Sequence, residues 1–143
     1  MTENTGGMHD SAPGSRGRTT IADVVVEKIA GMAARDVLGV HALGSGFARS
    51  MGSMRERMPG AGSGKSVTRG VSVEVGELQA AIDLEIVVDY GVSITDVAGD
   101  VRENVISAVE RMAGLEVVEV NIAVSDVKLP DEEDEEEQRQ RVQ

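Results

Sequence analysis

The pattern of apolar and polar positions is most regular between Gly70 and Leu129. Apolar residues fall at Val71, Val73 and Val75, and again at Leu78, Ala80, Ile82, Leu84, Ile86 and Val88. A period of two is that of strands with one face buried. With Gly76-Glu77 as a two-residue type II′ loop, the pattern predicts a hairpin in which Val75 pairs with Leu78, Val73 with Ala80 and Val71 with Ile82. That register puts every apolar residue on one side, and a one-residue slip would reverse them all.

Two segments switch to helical spacing. Ile21, Val24, Val25, Ile29, Met32 and Ala33 predict an amphipathic helix with Thr20 as its N-cap and an end near Asp36, followed by a short strand within Val37 to Leu43. Val97, Val101, Val105, Ala108, Val109 and Met112 predict a second helix, opened by Ser93 or Thr95 and closed by Gly114. The last strand, Val117 to Val127, alternates again, with Val118, Val120, Ile122 and Val124 on one side and Glu119, Asn121 and Ser125 on the other. The order helix, strand, hairpin, helix, strand implies an α+β two-layer sandwich, two helices on one face of a small mixed or antiparallel sheet. A right-handed crossover follows if the strands flanking the second helix lie parallel. Strand order does not follow from the pattern.

The periodicity stops outside these limits. Residues 1–18 read as a disordered arm, 19–130 as one domain, and 131–143 as a disordered tail with seven consecutive acids from Asp131 to Glu137. Within the domain, residues 44–69 carry six glycines together with Arg49, Arg55, Arg57, Lys65 and Arg69, and read as a flexible basic loop. Arg49, Arg55, Arg57 and Lys65 are the candidate partner contacts. Met51, Met54 and Met58 lie between the arginines at amphipathic spacing, which Gly52 and Gly60 weaken.

Composition narrows the function. The 143 residues contain no cysteine, which removes disulfides, thiolate metal sites and thiol catalysis. A net charge of −11, and Phe47 and Tyr90 as the sole aromatics, disfavour nucleic acid, leaving a small RNA-associated module as the alternative reading. Neither a leader nor a transmembrane run is recognisable in the sequence, so a cytoplasmic protein is expected. Pro59 to Ser66 approaches a phosphate-binding loop, but Pro59 replaces its first glycine and a strand, not a helix, follows. His9 and His41 have no neighbours at metal-ligand or nucleophile spacing. Asp83, Glu85 and Asp89 alternate along a predicted wet face, where charge is ordinary. The expectation is therefore no enzyme, no cofactor, no metal and no small-molecule substrate.

Five segments in order then resemble one family. They are Ile21-Ala-Asp-Val-Val-Val-Glu-Lys-Ile-Ala-Gly-Met-Ala-Ala34, Leu38-Gly-Val40, Gly70-Val-Ser-Val-Glu-Val75, Val88-Asp-Tyr-Gly-Val-Ser-Ile-Thr-Asp-Val97, and Met112-Ala-Gly-Leu-Glu-Val-Val-Glu-Val-Asn-Ile122. Together they resemble the alkaline shock or Gls-type envelope stress response proteins of bacteria, over residues 19–130. The resemblance implies a cytosolic, non-enzymatic protein that forms a homo-oligomer, or is held beside the membrane by a membrane-anchored partner, or both. Residues 44–69 are longer and more basic than the connection usual in that family, and the acidic tail lies outside the shared pattern.

Overall fold

The strand Gln79–Asp89, β3, is the axis on which the other strands align. A computed structural model describes residues 12–44 and 68–132. Their elements are helix α1 (Asp23–Arg35), β1 (Val40–Leu43), β2 (Val71–Val75), β3, helix α2 (Ile94–Ala113) and β4 (Glu116–Lys128). Along one side of β3, β4 runs parallel from Gln79 to Asp89; along the other, β1 and β2 follow one another, both antiparallel. The sheet is mixed, and β3 and β4 are parallel strands joined through α2.

Ala80, Ile82, Leu84, Ile86 and Val88 turn toward the helices, as their alternation requires. They form one core with Val26, Ala30, Ala33 and Ala34 of α1 and Val97, Val101, Val105 and Val109 of α2. Both helices therefore cover the same face, α1 over β1 and β2, α2 over β4. This is the α+β sandwich the pattern implies. Ser93 stands at the start of α2 and Gly114, at φ 71°, at its end, where its amide donates to the Glu110 carbonyl at 3.1 Å.

Four local expectations change. The hairpin register is displaced by two residues: Val75 pairs with Ala80, Val73 with Ile82 and Val71 with Leu84, while the Gly76 amide donates to the Gln79 carbonyl at 2.8 Å. Glu77-Leu78 is thus the turn, and Leu78 is 76% exposed. A displacement by two keeps each side chain on its face, so alternation is blind to it. Helix α1 starts later, without a side-chain cap, and its buried stripe is Val26, Ala30, Ala33 and Ala34. Val24, Val25 and Met32 face outward, because the smaller alanines permit close approach to the second helix and the sheet. Met112 of α2 is likewise exposed. Finally, β4 slips by one residue at Val118 and again at Ser125. Val117 takes the core position, and the bulged Val118 is 54% exposed.

Candidate functional site

The face of the sheet away from the helices carries the alternate residues of each strand. Ser72 and Glu74 of β2, Asp83 and Glu85 of β3, and Glu119 and Asn121 of β4 lie there. Pairing sets Asn121 directly beside Asp83. Its amide nitrogen donates to Asp83 Oδ1 at 2.9 Å and to Glu119 Oε2 at 2.6 Å, so one neutral donor holds two carboxylates in place. Toward the end of this face, His41 Nδ1 lies 3.5 Å from Asp89 Oδ1.

Two of the concavities among the described residues border the helix layer. A cleft of about 840 Å³ opens at the β2–β3 turn, with Ile21, Val75, Leu78 and Leu115 as apolar wall and Arg18 and Asp23 among its polar residues. A more open groove of about 490 Å³ separates the end of α1 from the middle of α2. Asp36, Asp100 and Glu103 line it beside Val37, Asn104 and Ser107. At its floor Asn104 Nδ2 donates to the Ala33 carbonyl at 2.7 Å, tying the helices together.

The outer edge of β4 is also shaped by α2. The Val117 amide donates to Glu110 Oε2 at 3.1 Å, and Arg102 Nε donates to the Val120 carbonyl at 3.2 Å. Further along, the Val127 amide donates to Asp126 Oδ1 at 2.8 Å. Backbone groups that would otherwise offer themselves to another strand are occupied by side chains.

Sequence-predicted positions divide between these places. Arg49, Arg55, Arg57 and Lys65, and the Pro59 to Ser66 segment, lie outside the described residues, as do residues 1–11 of the arm and 133–143 of the tail. Asp83 and Glu85 lie on the open face, as their alternation predicts, and Asp89 continues the same row beside His41. The Asn121 bridge and the Glu110 and Arg102 contacts had no sequence signal, since each joins residues from separate elements. Among the described residues, no group of three or more His, Cys, Asp or Glu side chains is arranged to hold a metal ion. No helix among them is long and apolar enough to cross a membrane.

The fold and these surfaces define a small α+β domain that offers broad faces and open grooves. Residues 11–129 match the Asp23 family model, described as having a cell envelope-related function, and the chain belongs to that family. It is 36% identical over 113 residues to the stress response regulator gls24 homolog of Streptococcus pyogenes serotype M3, covering 79% of this chain and 60% of that protein. YqhY of Bacillus subtilis is 37% identical over 108 residues, 76% of this chain and 75% of that protein. YloU of the same bacterium is 31% identical over 113 residues, 79% of this chain and 90% of that protein. This chain thus spans about 60% of the length of the streptococcal relative. No solved structure matches it.

Proposed function

We propose that this chain is a non-catalytic interaction protein of the bacterial cell-envelope stress response. It acts in the cytoplasm, by assembly and by binding a membrane-anchored protein at the inner face of the membrane. One observation carries the reading: the helices cover a single face of the sheet, and the other presents Glu74, Asp83, Glu85 and Glu119 on a broad surface. Such a face suits contact with another macromolecule better than capture of a small molecule, which calls for an enclosed site. Membership of an envelope-related family and likeness to a streptococcal stress response regulator support the same reading.

The test is fractionation of cells expressing the full chain, followed by capture from gently solubilised membranes and mass spectrometry. The expected result is recovery with the membrane fraction and co-purification of a protein bearing transmembrane helices. Recovery wholly in the soluble fraction, under envelope stress as well as in growth, would overturn the membrane part of the reading. Turnover of a small molecule by the purified chain would overturn its non-catalytic part.

A further inference from the structure

The end of the molecule opposite the β2–β3 turn exposes several large apolar side chains. Leu38, in the turn between α1 and β1, is 95% exposed, and Tyr90, just past β3, is 66% exposed. Ile94 opens α2 and Leu129 follows β4; both are exposed as well. Topology brings them together. The Asp89 amide donates to the Gly39 carbonyl and the Tyr90 amide to the Lys128 carbonyl, each at 3.0 Å, which sets residues 38, 90 and 129 at the ends of three neighbouring chain segments.

Gly39 sets the backbone of the turn that carries Leu38. It sits at φ +104°, and a Cβ built on it would lie 2.8 Å from Val97 Cγ2 and 3.5 Å from Val92 Cγ1. Val97 and Val92 already fill the space beneath Gly39, and its left-handed backbone is one that only glycine adopts freely. Exposed apolar residues scattered singly are ordinary, but several gathered at one end mark a contact surface.

Charge says what kind of contact. Asp36 caps α1 beside the patch, and with Asp100 and Glu103 it lines the groove that leads away between the helices. Asp96 lies in the first turn of α2. Glu132 is folded back against Leu129, its Oε1 accepting from the Leu129 amide at 2.9 Å. Among the described residues, Arg35 and Lys128 are the cations at this end, and the Lys128 ammonium donates to the Leu129 carbonyl at 3.3 Å. An apolar centre with an acidic surround attracts a cationic, apolar ligand and repels anionic surfaces.

We propose that this end binds a basic peptide segment of a partner protein, with a large apolar side chain seated among Leu38, Tyr90, Ile94 and Leu129 and flanking Lys or Arg residues in the Asp36, Asp100 and Glu103 groove. The inference rests on the partner-binding reading above and names the chemistry of the partner. A second copy of the same end would bring acid against acid, and anionic lipid would meet the same repulsion.

The experiment measures fluorescence anisotropy of a labelled twelve-residue Lys/Leu peptide with the full chain, alongside its Glu/Leu counterpart and vesicles of phosphatidylglycerol. Leu38→Ser with Tyr90→Ala should weaken Lys/Leu binding at least about tenfold, and Asp36→Asn with Asp100→Asn and Glu103→Gln should weaken it and flatten its salt dependence. Two controls in the β2–β3 turn at the opposite end, Leu78→Ser and Glu77→Gln, should stay within about twofold. All variants are checked for unchanged melting, because the replaced side chains lie at the surface. Equal weakening by the controls, or binding of the Glu/Leu peptide or the vesicles, would overturn the proposal. So would a dimer in sedimentation that Leu38→Ser dissociates, since the occupant would then be a second copy. Membrane capture that survives Leu38→Ser with Tyr90→Ala would remove this surface while leaving the broader partner-binding reading intact.

Discussion

Gly70 lies against Gly44: a Cβ added to Gly70 would stand 2.5 Å from the Gly44 amide nitrogen and 2.7 Å from its Cα. Both glycines serve one residue of β3, for the Gly44 amide donates to the Glu85 carbonyl at 2.6 Å and the Glu85 amide donates to the Gly70 carbonyl at 2.8 Å. Strands β1 and β2 are therefore successive halves of one edge, and the chain leaves that edge and rejoins it at a single point.

Gly70→Ala should destabilise the domain by about 1–3 kcal/mol, through a positive φ of 76° and a clash with the backbone of Gly44 and Glu85. Gly99→Ala is the contrasting change. It lies within α2 with nothing within 4 Å of its Cβ position, so it should add about 0.5–1 kcal/mol. Urea unfolding of both variants measures the difference, and a Gly70→Ala midpoint equal to the parent's would show that the junction tolerates a side chain.

Replacing residues 45–67 by a short Gly-Ser link should leave the melting temperature within about 5 °C, because the two ends of the excised segment already meet at the edge of the sheet. Calorimetry on the shortened chain checks it. Loss of a cooperative transition would mean that those residues contribute to the core.

Glu110→Ala and Arg102→Ala should each cost about 0.5–1.5 kcal/mol, the net worth of a hydrogen bond, by releasing the Val117 amide and the Val120 carbonyl. Together they should also raise light scattering on prolonged incubation, because an uncovered edge strand recruits others. If the double variant loses stability yet stays as dispersed as the parent, the bulges at Val118 and Ser125 protect the edge without help.

Asn121→Asp should destabilise by about 1 kcal/mol at low salt, since the donor shared by Asp83 and Glu119 becomes a third carboxylate between them. Part of the loss should return as ionic strength rises and the repulsion is screened. A salt-independent loss would assign the effect to the missing hydrogen bonds alone.

Val101→Asp should prevent cooperative folding or cost more than about 4 kcal/mol, as it buries a carboxylate in the middle of the fully enclosed valine row of α2. Asp83→Asn, on the exposed face, keeps an acceptor for Asn121 and should change the denaturation midpoint little. A large effect there would mean that the two faces of β3 have been assigned the wrong way round.

Sequence alone was enough for whatever depends on residues close together in the chain. Alternation assigned Ala80, Ile82, Leu84, Ile86 and Val88 to one face, the four-residue spacing of Val97, Val101, Val105 and Val109 assigned the inner side of α2, and Gly114 marked its end, because each property is set by backbone geometry over a few residues. The five ordered segments were enough for the family as well. Choices among locally equivalent options were made by tertiary contacts. Alternation cannot distinguish hairpin registers two residues apart, so Ala80 rather than Leu78 faces Val75 only because the turn closes there. Either apolar stripe of α1 satisfies helical spacing, and the alanine side won because smaller side chains let the helix sit closer to its neighbours. The parallel placement of β4 beside β3, the bulge that turns Val118 outward, the Asn121 bridge, the meeting of Gly44 with Gly70 and the apolar end around Leu38 all join residues distant in the chain. Their energies depend on which segments are neighbours in space, and that information appears only when the whole core packs.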